Sequence, residues 1–77
     1  MEGLYRHFKG GYFYVTGVSQ LCCEGSMDKI KIATYIDIRH PENGHYSRPI
    51  DEFNTVVRGK EGNVTGQIYR FEKINSL

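Results

Sequence analysis

Tryptophan is absent from this 77-residue chain, alanine occurs once (Ala33) and leucine three times (Leu4, Leu21, Leu77). Amphipathic helices are built largely from such residues, so a helical bundle is excluded. Cysteine is confined to the adjacent pair Cys22 and Cys23. Neighbouring residues meet disulfide geometry only with strain, which excludes a disulfide framework and points to a reducing, cytoplasmic compartment. No apolar run approaches the ~20 residues of a membrane-spanning helix. Met1 to Lys9 mix polar and aromatic residues, so no signal peptide is read there. An excess of one charge sign is missing too: ten Lys and Arg face nine Asp and Glu, a net charge of +1. Bulk attraction to nucleic acid or to an anionic membrane is therefore not indicated.

What is present favours strands. Tyr and Phe together supply ten residues, and nine glycines punctuate the chain. A chain of this length is read as one domain, residues 1–77, that buries only about 60% of its unfolded surface. Its core is thin, and self-association is a common remedy for a thin core. The first strand is expected at Leu4 to Phe8, closed by the turn Lys9-Gly10-Gly11. A second follows from Tyr12 to Leu21, with Phe13 and Val15 on one face and Tyr12, Tyr14, Thr16 and Val18 on the other. Cys22 to Asp28 reads as a hairpin loop. The third strand, Lys29 to Ile38, alternates Ile30, Ile32, Thr34, Ile36 and Ile38 with Lys29, Lys31, Ala33, Tyr35 and Asp37, which places the isoleucines inward.

His40 to Gly44 forms the next turn, through Pro41 and Asn43-Gly44. A short strand, His45 to Arg48, leads into one helical turn at Pro49 to Phe53, with Ile50 and Phe53 facing the sheet. Arg58 to Gly66 is a glycine-rich loop, and Gln67 to Ile74 the last strand. Five short strands with one short helical turn before the last describe an all-β, SH3-like, partly open barrel. An oligonucleotide-binding type of barrel fits less well, because it needs longer strands and a longer helix.

The run Tyr5-Arg6-His7-Phe8-Lys9-Gly10-Gly11, followed by Phe13 and Val15, resembles the N-terminal signature of the bacterial family known as domain of unknown function 1653. Later elements arrive in the family's order: Tyr35, then Arg48-Pro49-Ile50 with Phe53, then Arg70-Phe71 with Ile74. The likeness runs from Gly3 to Ile74. The chain departs from the family at Phe13 (usually Tyr), Ile36 (usually Arg) and Tyr46 (commonly Trp). The resemblance implies a compact β-barrel-like domain of bacterial or phage origin, and no established activity.

Catalytic machinery is hard to assemble from these residues. A Cys–His nucleophile would need His7, His40 or His45 to approach Cys22 or Cys23 in space, and nothing local arranges that. Asp51 and Glu52 are adjacent on a helical turn and diverge, which fits favourable charges at a helix start better than an acid–base pair. Structural zinc wants ligand spacings that Cys22-Cys23 and His40/His45 do not supply. Lys9-Gly10-Gly11 leads into a strand rather than a helix, so it is no nucleotide-triphosphate loop, although a hairpin there could still approach an anion. No catalytic residue, metal or cofactor is expected.

A polar and aromatic constellation is the better candidate. Tyr5 and His7 project from one face of the first strand, Lys9 sits at its end, Tyr35 points away from the isoleucines, and Arg48 precedes the helical turn. Tyr5, His7, Lys9, Tyr35 and Arg48 together offer stacking faces, cations and donors for an anionic or nucleotide-like ligand. The plainer reading makes Tyr5 and His7 satisfied residues of the barrel and pairs Arg48 with Asp37 or Asp51. Tyr12 and Tyr14 point outward and suit an interface.

The leading expectation is therefore a small non-enzymatic module that captures an anionic or nucleotide-like molecule as a homo-oligomer, in a phage a way of sequestering a host signal. The alternative is a protein–protein adaptor that holds a macromolecular partner through its sheet edge and exposed tyrosines. Sequence-specific nucleic-acid binding is not expected, and neither is a membrane partner. A hydrolase or transferase ranks last and would require a reactive Cys22 or Cys23.

Overall fold

The computed structural model describes residues 1–21 and 30–74. The chain forms strands β1 (Gly3–His7), β2 (Tyr12–Leu21), β3 (Ile30–Asp37) and β4 (His45–Pro49), a single helical turn α1 (Ile50–Phe53) and a short β5 (Phe71–Lys73). All five strands lie in one antiparallel sheet of order β4-β3-β2-β1-β5. The expected all-β class, the five strands and the short helical turn before the last are present, in one sheet that does not close; the pairing of the first strand with both the second and the last is what the structure adds. The expected hairpin loop at Cys22 to Asp28, with both cysteines, lies outside the described residues.

Chain reversal between β1 and β2 depends on glycine. Gly10 adopts φ +102°, its N–H donates to the His7 carbonyl at 2.8 Å, and the His7 N–H donates to the Gly11 carbonyl at 2.7 Å. A side chain at such a φ would collide with its own backbone, so only glycine adopts it freely. Further along β2 the register shifts between Val15 and Gly17. Thr16 is the extra residue of a β-bulge, and its hydroxyl donates to the Thr34 carbonyl at 3.2 Å. The bulge moves Val18 off the face that carries Tyr12 and Tyr14 and places it opposite Ala33, a correction to simple alternation.

The inward face of β3 is the reverse of the one expected. Ala33 and Tyr35 are buried, with Tyr35 only 5% exposed, whereas Ile38 is 46% and Ile30 44% exposed. Period-two alternation groups residues by face, but it does not say which face will be covered. That is decided by pairing and by the chain's return. Tyr35 stands opposite Val15, and Phe53 from α1 and Phe71 from β5 close over this same side.

The core that results is largely aromatic: Tyr5, Val15, Ala33, Tyr35, Phe53 and Phe71, flanked by Phe13 and Ile50. Phe53 stacks on Phe71 at 4.1 Å between centroids, and Tyr35 meets Phe13, Phe53 and Phe71 at 5.5–5.7 Å. Ile50 and Phe53 face the sheet, as their spacing on the helical turn requires.

The last strand is much shorter than Gln67 to Ile74, because the backbone before Phe71 finds other partners. The N–H groups of Ile68 and Tyr69 both donate to Glu72 Oε2, at 2.8 and 3.0 Å. Upstream, Asn63 organises the glycine-rich loop. Its Nδ2 donates to the Val57 and Gln67 carbonyls, while its Oδ1 accepts from the N–H groups of Thr65 and Gly66 and from the Thr65 hydroxyl. Beneath this loop lie Phe8, Val57 and the buried Gln67. The Gln67 side chain exchanges hydrogen bonds with Arg6, donating to its carbonyl and accepting from its Nε, both at 2.9 Å.

Candidate functional site

Pairing of Tyr5 with Phe13 and of Tyr35 with Tyr46 and Val15 puts β1, β2, β3 and β4 side chains on one side of the sheet. Four of the five residues expected at the site, Tyr5, His7, Tyr35 and Arg48, share that side. They do so as part of the covered face, not away from it.

Two of them are occupied by the fold. Tyr5 is buried, packs edge-on against Phe53 at 5.8 Å and donates its hydroxyl to the Met1 carbonyl at 2.9 Å. Burial raises its pKa. Tyr35 is a core residue, and its hydroxyl accepts a hydrogen bond from Arg48 Nε at 3.3 Å. These rings form the floor of the site, not its reactive surface.

Arg48 is half-buried and already engaged. Besides Tyr35, its Nη1 donates to Glu52 Oε1 at 2.6 Å across the strand-to-helix junction. The hydrogen bond to Tyr35 leads the effects that raise its pKa. The partner is thus Glu52, not Asp37 or Asp51, because the first turn of α1 swings Glu52 back over β4. Glu52 is thereby spent on an ion pair and takes no part in a carboxylate pair with Asp51.

His7 is the most informative member. Its half-buried ring lies against Phe8, Phe71 and Phe13 at 4.7, 4.9 and 5.9 Å between centroids. The Lys9 backbone N–H donates to its Nδ1 at 3.1 Å. A ring nitrogen that accepts from an amide carries no proton, so the imidazole is neutral with its proton on Nε2. Burial, then the charges of Arg70, Lys9 and Arg48, push its pKa down to about 4. Among the described residues the Nε2–H has no hydrogen-bond partner, which leaves a neutral donor unpaired.

Residues that the sequence reading missed complete the picture. Arg39 continues the alternation Tyr35, Asp37, Arg39, and its guanidinium lies over Gly11. A Cβ on Gly11 would come within 3.2 Å of Arg39 Nη2 and 3.1 Å of the Phe13 ring. Tyr46 stacks on Tyr35 at 5.8 Å with ring planes 26° apart, and it is partly exposed. Arg70, just before Phe71, reaches the His7 side. Among the described residues Lys9, Arg39 and Arg70 have no carboxylate within 4.0 Å, the ion pairs being Arg48–Glu52 and His40–Glu42. Asp37 spends Oδ1 on the Arg39 backbone N–H at 3.0 Å.

Lys9 itself is exposed on the turn. The hairpin's backbone offers an anion little, because the Lys9 and Gly10 N–H groups are both taken by His7. Tyr12 and Tyr14 lie on the opposite side of the sheet, 42% and 45% exposed. At the other end of β3 a shallow depression of about 310 Å³ is lined by Ile30, Lys31, Pro49, Ile50 and Asp51. It shares no residue with the His7 cluster. Among the described residues no three His, Cys, Asp or Glu side chains come together to hold a metal, and no helix is long and apolar enough to cross a membrane.

No curated protein and no solved structure matches the chain. The family model described as Protein of unknown function (DUF1653) matches residues 3–73. That span holds both signature segments, the β1 turn that positions His7 and the Arg48-Pro49 junction that leads into α1, and the chain is a member of this family.

Proposed function

We propose that this chain is a non-enzymatic binding module that captures a small anionic or nucleotide-like molecule, in the cytoplasm and as a homo-oligomer. One observation carries the reading. Among the described residues, Lys9 and Arg70 lack carboxylate partners and act with Arg48 on a neutral His7 whose Nε2–H has no hydrogen-bond partner, and Arg39, beside Gly11, is a further cation without a carboxylate. An anion would take up those donors, and the exposed Tyr46 beside Arg48 offers a face on which a planar ring can stack. Oligomerisation is supported by Tyr12 and Tyr14 on the opposite side of the sheet, where self-association would cover them without blocking the site.

Native mass spectrometry of the protein purified from cells, before and after mild denaturation, tests both parts. The expected result is an oligomer that releases a nucleotide-sized anion, with the anion missing from Arg39→Ala. A monomer carrying nothing would sink the capture reading.

The second reading is an adaptor that uses the same tyrosines for a protein partner. The exposure of Leu21, Ile38, Tyr12 and Tyr14 favours it. It predicts retention of one macromolecule that is lost in Tyr12→Ser/Tyr14→Ser and kept in Arg39→Ala.

A further inference from the structure

Phe8 ends the β1 segment and is almost fully buried, yet three cations converge on its ring. Lys9 Nζ lies 5.7 Å from the ring centroid, Lys60 Nζ 5.8 Å and the Arg70 guanidinium carbon 5.7 Å. The quadrupole of a phenyl ring attracts each cation but carries no net charge, so it does not relieve the repulsion among the three. Among the described residues none of them has a carboxylate within 4.0 Å, and Glu61, next to Lys60 in sequence, forms no ion pair with them. Arg70 adds a second sign: its Nε is buried with no hydrogen-bond partner among the described residues. Buried donors are almost always satisfied, and an exception needs an account.

The cluster is held in place by the backbone. The Phe8 N–H donates to the Arg70 carbonyl at 3.0 Å, and the Phe8 carbonyl accepts from the Val64 N–H at 3.1 Å. Lys60 is fixed from the same loop by its N–H bond to the Val57 carbonyl at 2.9 Å. The Lys9 stem runs beside Gly62, where a Cβ would stand 3.6 Å from Lys9 Cε. These contacts tie β1, the Asn63 loop and the entry to β5 together at one ring.

We propose that Lys9, Lys60 and Arg70 form a phosphate-binding site arranged around Phe8. A tetrahedral dianion suits it better than a carboxylate, because its several acceptor oxygens reach cations that approach from different directions, and a guanidinium pairs well with two of them. The site goes beyond the capture reading: it shares Lys9 and Arg70 with the His7 surface and adds Lys60 and Phe8. The phosphate is either the free ion or the terminal group of a nucleotide whose remainder lies toward Tyr46.

The test is a ¹H–¹⁵N NMR titration of the whole chain with sodium phosphate at pH 7, against sodium chloride at matched ionic strength. Saturable shifts are expected at Phe8, Lys9, Lys60, Gly62 and Arg70 with phosphate and not with chloride. The exposed double variant Lys9→Ala/Lys60→Ala should weaken binding by about tenfold or more, while Lys31→Ala, beside the depression at the other end of β3, should leave it within about twofold. A linear response equal to that of chloride would overturn the site, as would a double variant that binds as the parent does. Adenosine 5′-monophosphate separates the sources. If it binds more tightly than phosphate and also shifts Tyr35 and Tyr46, the site holds a nucleotide's phosphate. Equal affinity with shifts confined to the Phe8 cluster leaves the phosphate site standing and counts against capture at the His7 surface.

Discussion

The Lys9 backbone N–H donates to Nδ1 of His7 at 3.1 Å, so the turn that carries the lysine also sets the protonation of the histidine. Protonating Nδ1 would break that bond and place a positive ring among Arg70, Lys9 and Arg48. Burial and these charges lower the His7 pKa from 6.5 to about 4. A depressed histidine pKa means that the unfolded chain binds the proton more readily. The folded state keeps its full advantage above about pH 6.5 and loses it as the pH falls toward 4. Urea denaturation at pH 7 and pH 4.5 should show lower stability at the acid pH, and His7→Gln should shrink the difference. A His7 imidazole titrating near 6.5 by NMR would refute this.

Asn63→Ala removes five hydrogen bonds that hold the loop between Val57 and Gln67. The expected loss is about 2–3 kcal/mol by denaturant titration, allowing for partial replacement by water. Asn63→Asp keeps the acceptor but sets a charge against two carbonyls, so it should not rescue.

Glu52→Gln breaks the ion pair with Arg48. Both partners reach solvent, so the cost should be no more than about 0.5 kcal/mol and should fade in high salt. Phe53→Ala, one residue further on, removes a buried ring stacked on Phe71 and should cost about 3–5 kcal/mol. Equal effects from the two substitutions would contradict this division of labour.

Gly11→Ala places a methyl group 3.1 Å from the Phe13 ring and 3.2 Å from Arg39 Nη2. The guanidinium can swing away, while the ring must yield by a few tenths of an ångström. A loss of about 1 kcal/mol is expected, together with weakened anion binding as Arg39 is displaced from its place beside Gly11. Calorimetric titration with adenosine 5′-monophosphate reads the second effect.

Strand existence was legible in the sequence because it rests on local composition. Tyr12–Leu21 is a run of aromatic and β-branched residues, and Gly10-Gly11 marks its start. The covered face of β3 was not legible, since Ala33 and Tyr35 on one side and the isoleucines on the other are both apolar enough. Only Phe53 and Phe71, distant in sequence, decide between them. The bulge at Thr16 left no local mark. Nor did the side-chain claims on backbone groups by Asn63 and Glu72, which shorten β5. For the site, His7, Lys9 and Arg48 could be picked by residue type and their place at strand ends. Arg39 was available by extending the alternation from Tyr35. Lys60 was not, because a loop lysine comes near Phe8 only through the hydrogen bonds that fold the loop.

The extra residue at position 16 divides the sheet's outer surface. Before it, Tyr12 and Tyr14 share that surface with Leu4, Ile36 and Ile38; beyond it, Leu21 stands opposite Ile30 and Ser19 opposite Ile32. Between the two ends runs the row Gly17, Thr34 and Ser47, which has no large apolar side chain. The outer face of the sheet, over the described residues, is thus two small oily islands with a polar strait between them. A flat apolar partner finds no continuous landing ground, and whatever binds there must fit the footprint of one island.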